Sequence, residues 1–496
     1  MKNRLAALAL GAIAATGFAP LDLWPLTLIA FAGFLWLVRH EGSLRGALLA
    51  GWLFGVGHFV AGLNWIATAF YYQDAMPHWL GWIAVLLLSL YLALYPAITA
   101  GLAWRYRRGD RAAFVLLFAA AWALGEYMRG TFFTGFPWNP LGVIWIKVPP
   151  VAALAAWIGT YGLSALAILF AGALMLLVER RWRFGAILAA SAALAVLAVA
   201  PRPGGPAGQG PAIRVVQPDI GQQEKWSPEF DARNLARLAE LSRAPGPGAR
   251  PRLLLWPEAA VTDYLEDEPW ARARLARLLG PGDILMTGGT KIEWGPGNRP
   301  VGARNSLFVL DAQGRILARY DKAHLVPYGE YLPMRPLLSA IGLSRLAPGD
   351  LDFRPGPGPA TFALPGVGKA GIQICYEIIF SGHVVDEAHR PDFIFNPSND
   401  AWFGPTGPPQ HLAQARLRAI EEGLPIVRST PTGISAVIDA DGRLLDSLPP
   451  HAMGVIDTRL PPPHPPTPFA RFGNLLPFLF AALLVVAAIA RRLRAR

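Results

Sequence analysis

Residues 371–377 read Gly-Ile-Gln-Ile-Cys-Tyr-Glu, and Cys375 within them is the only cysteine among 496 residues. The apolar run 370–375 reads as a short strand that carries the thiol to the end of a sheet. A single cysteine forms no internal disulfide and builds no zinc site with other cysteines. Two roles remain, an inert buried side chain or a nucleophile. The inert role is the commoner one for an isolated cysteine, so the neighbouring segments decide.

Two other segments end an apolar run in a charged residue. Leu253-Leu254-Leu255-Trp256-Pro257-Glu258 stops a strand at Pro257 and places Glu258 just beyond it. In Tyr320-Asp321-Lys322-Ala323-His324-Leu325-Val326-Pro327-Tyr328-Gly329-Glu330, Lys322 ends a strand and Glu330 follows a Pro/Gly turn. A thiol with an ordinary pKa of about 8.5 needs a base to become a nucleophile. Glu258 can take that proton. Attack on an ester or amide carbonyl creates an oxyanion, for which Lys322 and the backbone N–H after Cys375 are donors. Taken singly, Glu258 reads as a surface carboxylate and Lys322 as a charge in a turn. Together at strand ends, the three read as base, oxyanion donor and nucleophile. No Ser/His pair is needed, and no G-x-S-x-G motif is present. His324, His383, His389 and His411 are not spaced as ligands on one element, so no metal or cofactor is expected.

Around these segments, strands are expected at 213–217, 252–256, 283–288, 305–310, 315–320, 370–375, 392–396 and 434–439. Helices are expected at 229–242, 269–279, 381–389 and 410–422. Asp-Ala-Gln-Gly at 311–314 and Asp-Ala-Asp-Gly at 439–442 mark hairpin turns. Strands mixed with helices predict an α/β or α+β sandwich over 211–460. Pro/Gly-rich residues 201–210 and the proline-rich 460–468 bracket it as linkers.

The rest of the chain is a different material. Hydrophobic residues make up 53% of the sequence and charged residues only 16%, which excludes an ordinary soluble protein and points to a membrane class. Apolar stretches at 5–19, 24–38, 47–70, 79–102, 112–132, 151–178, 184–200 and 472–490 predict about eight transmembrane helices, seven before the sandwich and one after it. The domains are then 1–200, 211–460 and 469–496. The first stretch lacks a small-x-small cleavage site followed by a polar mature region, so it reads as a span rather than a cleaved signal. Basic residues cluster at Lys2 and Arg4, at Arg39 and Arg45, at 105–111, at 180–183 and in the 491–496 tail. The alternate loops are nearly free of them. The positive-inside rule places both termini in the cytoplasm and 211–460 on the far side, the periplasm of a bacterium. The same clusters account for most of the net charge of +11, which removes nucleic acid as a partner. Tyr71, Tyr72, Trp79 and Trp82 read as interface anchors. Glu126 and Arg129, one turn apart in the fifth span, read as an i,i+3 ion pair.

The W-P-E, D-K-x-H-L-V-P-Y-G-E and I-C-Y-E segments resemble the nitrilase (carbon–nitrogen hydrolase) superfamily. With flanking transmembrane helices, the whole chain resembles the apolipoprotein N-acyltransferase family. Gly135-Phe136-Pro137-Trp138-Asn139-Pro140-Leu141-Gly142, Asn399-Asp400-Ala401-Trp402-Phe403-Gly404 and Arg428-Ser429-Thr430 carry that resemblance further. It implies an αββα nitrilase-like sandwich with Glu258 as general base, Lys322 as oxyanion stabiliser and Cys375 as nucleophile. Glu330, Tyr376 and Glu377 would support the site, and Trp226 would touch substrate from an arm over the pocket. The implied reaction is ping-pong. An acyl chain moves from the sn-1 position of a phospholipid, typically phosphatidylethanolamine, to Cys375, and then to the α-amine of a lipoprotein's diacylglyceryl-cysteine. It implies an inner-membrane enzyme acting as a monomer. A membrane-tethered amidase sharing the three residues and passing the acyl group to water is the main alternative, and a transporter with an inert nitrilase-like domain is the other.

Overall fold

The computed structural model describes residues 2–73, 76–180, 182–198, 210–225, 227–243, 251–346 and 351–494. Trp226, most of the 201–210 linker and Arg181 lie outside them.

Two six-stranded sheets form the centre of the C-terminal half. The first contains β1 (Ala212–Gln217), β2 (Arg252–Leu255), β3 (Ile284–Gly295), β4 (Arg299–Asp311) and β5 (Ile316–Asp321). The second contains β6 (Thr361–Leu364), β7 (Gly368–Ile372), β8 (Phe393–Pro397), β9 (Ile426–Ser429), β10 (Ser435–Ile438) and β11 (Leu444–Leu448). β12 (Gly454–Arg459) returns to pair antiparallel with β1 and closes the first sheet's edge. The sheet orders are β12-β1-β2-β3-β4-β5 and β11-β10-β9-β8-β7-β6.

Alternation along the first sheet explains the layers. Ile213, Val215, Leu253, Leu255, Met286, Leu307 and Val309 join a core with Ile372, Phe393, Phe395, Val427 and Val437 of the second sheet. The intervening Val216, Leu254, Trp256, Leu285, Phe308 and Leu310 face Leu238 and Leu275 of the helices Pro228–Arg243 and Pro269–Ala276. Helix Gly407–Glu422 covers the second sheet through Leu412, Ala415 and Ala419. The result is the expected α-β-β-α order.

All eight expected strands form, six of them within a few residues of the expected bounds; β3 runs seven residues past its expected end and β4 begins six residues before its expected start, because the two pair as one long hairpin. The expected helix at 381–389 does not. Asp386 Oδ1 accepts from the Ala388 and His389 N–H groups, an Asx turn that competes with helix, and Pro391 follows. The strand expected to reach Cys375 stops at Ile372, because Asn396 Nδ2 donates to Gln373 O at 2.6 Å and Glu377 Oε2 accepts from Ile374 N at 2.7 Å.

Among the described residues, five helices are long and apolar enough to cross a membrane, fewer than the eight expected: Leu44–Gly62, Leu80–Arg105, Arg111–Thr134, Ala155–Val178 and Leu475–Arg494. Trp24–His40 and Trp182–Ala195 are apolar but shorter, and Lys2–Ala15 has only 14 residues. The stretch 47–70 leaves the α-helix at Leu63 and continues as the tighter 3-10 turns Asn64–Tyr72. The two halves share packing. Phe59, Leu63, Trp65, Leu92, Tyr95 and Trp138 belong to the same buried cluster as the strands β7 to β10. Glu421 of helix Gly407–Glu422 accepts from both the Thr160 N–H and its hydroxyl at 2.7 Å, placing a carboxylate just past the break at Gly159, where the apolar helix Ala155–Val178 resumes.

Candidate active site

Three strands deliver the three expected residues. β1, β2 and β3 are mutually parallel, and β5 runs the same way because β4 reverses direction twice. Glu258 after β2 and Lys322 after β5 therefore emerge at the same, carboxyl-terminal edge. In α/β sheets that edge is where ligands gather. Cys375, after β7, meets them from the second sheet in a 3-10 turn, Cys375–Ile379. Its φ is +52°, a left-handed conformation costly for a side-chain-bearing residue. Such backbone strain has to be held by neighbours, and here they can be named. Asn396 Nδ2 and His411 Nε2 both donate to the Cys375 carbonyl, at 3.4 and 3.1 Å. His411 Nδ1 lies 3.1 Å from Asp400 Oδ1, and Arg428 Nη2 lies 2.5 Å from both Asp400 oxygens.

The carboxylates share one ammonium. Lys322 Nζ donates to Glu330 Oε1 at 3.0 Å and reaches Glu258 Oε1 at 3.4 Å. Asn305 of β4 bridges the same two oxygens from the other side, at 2.7 and 2.8 Å. Glu330 Oε2 accepts from Val326 N at 2.8 Å and so fixes the turn that carries it. Lys225 Nζ donates to the Glu258 backbone carbonyl at 2.7 Å. Close behind Glu258 runs Gly288, where a Cβ would lie 2.3 Å from Ala259 N, so that position admits no side chain. Lys225 and Glu258 also line a cavity of about 260 Å³ that extends under helix Pro228–Arg243.

All of these groups are buried, so their charges set one another. Burial, and then the Glu258 carboxylate, push the Cys375 thiol well above its ordinary range. Burial also pushes Glu258 up, but Lys322, Lys225 and Asn305 outweigh it and hold the carboxyl below the usual range. Burial opposes the Lys322 charge, yet Glu330 and Glu258 overcome it and keep the ammonium firmly protonated. Burial lowers Lys225 to about 8. The resting pair is therefore a neutral thiol beside an ionised carboxylate. The thiol is among the groups that stabilise the Glu258 charge. Glu258 Oε2 nonetheless lacks a well-formed hydrogen bond among the described residues, so one oxygen remains uncommitted. Catalytic hydrogen bonds are often this loose before substrate binds, so the geometry leaves a proton transfer from thiol to carboxylate open.

Of the supporting residues, Glu377 accepts from Tyr320 Oη, Ala323 N, His324 N and Ile374 N at 2.7 to 3.0 Å. It thereby ties the segment after Lys322 to the turn of Cys375. Burial raises its carboxyl to about 7. Tyr376 Oη donates to the Gly135 carbonyl at 3.2 Å, across to the loop that ends helix Arg111–Thr131. Asn305, Lys225 and the His411–Asp400–Arg428 chain were not anticipated as parts of the site. A signal existed for Arg428, a charge that ends the apolar run Pro425-Ile426-Val427. None marked Asn305 or Lys225.

A thiol, a carboxylate and an ammonium brought to the carboxyl ends of two stacked sheets, beside a bundle of apolar helices, are the traits of a carbon–nitrogen hydrolase domain joined to a second, helical domain. Residues 212–463 match the family described as carbon-nitrogen hydrolase, and residues 10–173 match the apolipoprotein N-acyltransferase N-terminal domain. An apolipoprotein N-acyltransferase of Bradyrhizobium diazoefficiens is 38% identical over 100% of this chain and 96% of its own. One from Rhodopseudomonas palustris is 37% identical over 99% and 95%. Among solved structures, an amidase from Nesterenkonia sp. is 20% identical, covering 52% of this chain and 93% of its own with a TM-score of 0.36. The chain belongs to the apolipoprotein N-acyltransferase family.

Proposed function

We propose that this chain moves a fatty acyl group from a phospholipid to the N-terminal amine of lipoproteins through a thioester on Cys375. The observation that carries the reading is the closed set of Cys375, Glu258 and Lys322, buried together and joined through Tyr376 to the apolar helices. Glu258 takes the thiol proton as sulfur attacks the donor's ester carbonyl. The negative charge passes to the carbonyl oxygen, where Lys322 and the Tyr376 N–H receive it. Collapse expels the glycerol oxygen, which takes the proton from Glu258 and leaves as lysophospholipid. The α-amine of a diacylglyceryl-cysteine then attacks the thioester, Glu258 accepts an amine proton, and the sulfur departs and regains it. A thioester outlasts water in so dry a site yet yields to an amine.

The finer assignments belong to the same reading. The donor is phosphatidylethanolamine attacked at sn-1, and the acceptor is the diacylglyceryl lipoprotein. Glu330 positions Lys322. Glu377 and Tyr376 position the nucleophile's turn, and Trp226 contacts lipid. Residues 1–200 and 469–496 form a membrane domain of about eight helices around the catalytic residues 211–460. The chain acts as a monomer in the bacterial inner membrane, with both termini cytoplasmic and the site periplasmic. In support, Arg39 and Arg111 meet Glu179, and Arg491 meets Asp110, gathering the basic loops and the tail at one end of the bundle. Lys147 pairs with Asp22 on alternate loops.

Intact mass measurement of the detergent-purified protein after incubation with phosphatidylethanolamine tests this. A fatty-acyl adduct on wild type, absent from Cys375→Ala and cleared by a diacylglyceryl-peptide with appearance of the N-acyl product, is expected. An adduct that water clears equally fast makes the chain a hydrolase.

A further inference from the structure

Glu126 and Arg129 sit near the end of helix Arg111–Thr131 and are almost fully buried, at 6% and 3% exposure. No step of acyl transfer uses them. They do not form the i,i+3 ion pair that their spacing suggests. Arg129 Nη1 instead donates to two carbonyls of the following loop, Phe136 O at 2.8 Å and Trp138 O at 2.9 Å. Glu126 Oε1 accepts from Leu141 N at 2.8 Å and from Trp122 Nε1 at 3.0 Å. The loop's own backbone closes the ring, since Phe136 N donates to Arg129 O at 2.8 Å.

That geometry bends the chain tightly at Gly135. Its φ is +80°, and a Cβ there would lie 2.1 Å from the Gly130 carbonyl. The carbonyl of Gly135 then points at Tyr376 Oη, 3.2 Å away. Beyond Gly135 the loop enters the catalytic half. Trp138 Nε1 donates to Gln410 at 2.8 Å, and its ring packs against Trp65, Phe403 and His411.

Tyr376 carries the peptide N–H that follows the nucleophile. With Cys375 at φ +52°, the direction of that N–H is not a default of the backbone and has to be imposed. The imposed contact reaches across from the helical half. We propose that Arg129 is a positioning residue for acyl transfer: by clamping the Phe136 and Trp138 carbonyls it sets the Gly135 carbonyl that anchors Tyr376, and with it the oxyanion-donating N–H beside Cys375. Glu126 performs the parallel task at Leu141, fixing the far end of the same loop. The inference rests on the acyl-transfer reading above. It gives the helical half a part in the chemistry as well as in holding lipid.

A double-variant cycle on the full-length protein in mixed micelles tests it. Single-turnover rates of acyl-enzyme formation from phosphatidylethanolamine, the phospholipid KM and the thermal midpoint are measured for Arg129→Gln, Tyr376→Phe and the pair. Misplacing a catalytic donor by about 1 Å costs about a hundredfold in rate. Each single variant is therefore expected to be slower by about ten- to a hundredfold with KM unchanged. The pair is expected to be no slower than the slower single variant, because both break one chain of contacts. Arg129→Lys, whose ammonium still reaches one carbonyl, restores part of the rate, and the same cycle on it serves if Arg129→Gln does not fold. Losses that multiply in the pair, or a lowered thermal midpoint with the rate intact, overturn the proposal. If wild type itself gains no adduct, the acyltransferase reading has failed instead, so the two failures are distinct.

Discussion

Replacing Glu258 with Gln keeps the volume of the side chain and removes the base. The size of the effect follows from the resting charges. An ordinary thiol of pKa about 8.5 is roughly 3% ionised at pH 7, and burial pushes Cys375 beyond that. Without a base the site works from a smaller fraction of thiolate still. General-base assistance is worth about 10² to 10⁴ in rate, or about 3 to 5 kcal/mol of barrier. We expect acyl-enzyme formation in Glu258→Gln to slow by about 10³ at pH 7. The pH dependence gives the sharper sign. Glu258 is the second cause, after burial, of the raised thiol, so removing its charge brings the thiol down and lets thiolate form at lower pH than in wild type. Below that pKa the variant's rate rises about tenfold per pH unit, whereas wild type makes its thiolate by internal transfer. The assay is single-turnover adduct formation from pH 6 to 9, read by intact mass. The quantity compared is the ratio of variant to wild-type rate, which cancels titrations common to both. The gap should narrow steadily towards pH 9. A variant within tenfold of wild type at pH 7, or a ratio that does not change with pH, refutes Glu258 as the base.

Cys375→Ser should keep the thermal midpoint and lose the acyl adduct, because an alcohol beside a carboxylate is far harder to ionise than a thiol; an ester adduct at comparable rate would contradict this. Glu330→Gln removes the charge 3.0 Å from Lys322 and leaves one acceptor oxygen for two donors, Lys322 Nζ and Val326 N; the expected loss is about 10²-fold in adduct formation, because the oxyanion-stabilising ammonium loses its fixed position. For Glu377 the folded pKa of about 7 stands above the ordinary value. Protonation is thus favoured by folding, and its stabilising contribution, complete below the unfolded pKa of about 4.3, is lost as pH rises towards 7. Activity should run the other way, rising through about pH 7 as the carboxylate becomes a full acceptor for its four donors, and Glu377→Gln should flatten the stability slope measured by thermal melts. Trp138→Ala empties a fully buried site shared by both halves of the protein and orphans Gln410; a cost of about 3 to 5 kcal/mol, seen as a lowered melting temperature in detergent, is expected.

Where the sequence was legible, the reason is local. β2 and β8 are short apolar runs bounded by Pro or Asp, β3 opens as one after Asp283, and the two Asp-x-x-Gly turns tie the β4–β5 and β10–β11 hairpins without help from elsewhere. Where it was not, the cause lies at a distance. β9 was hidden because Arg428 interrupts its apolar pattern, and only the buried Asp400 makes that charge acceptable. β11 is an exposed edge strand carrying Asp446 and Ser447, and β12 completes a sheet whose first strand precedes it by more than two hundred residues. The site divides the same way. Glu258, Lys322 and Cys375 each follow a readable strand. Asn305 gains its role from two carboxylates that arrive from β2 and from the turn after Lys322, and nothing near it in the sequence announces them.

The burial of so many charges becomes intelligible once they are followed through the reaction. At rest the negative charge nearest the nucleophile is on Glu258, 3.4 Å from Lys322. When the thiol gives up its proton and attacks, Glu258 becomes neutral and the new negative charge appears on the donor's carbonyl oxygen. If that oxygen lies against Lys322, charge has moved around a fixed cation and none has been created. In a site this dry, making a new charge would cost several kcal/mol, while sliding one past a held ammonium costs far less. The arrangement works only if Lys322 never surrenders its proton to Glu258 in the resting state. Glu330 supplies that guarantee: its oxygen lies 3.0 Å from the ammonium and is the strongest of the neighbouring charges that hold Lys322 protonated while Glu258 changes state. A second carboxylate that does no proton transfer is thus required by the electrostatics of the first.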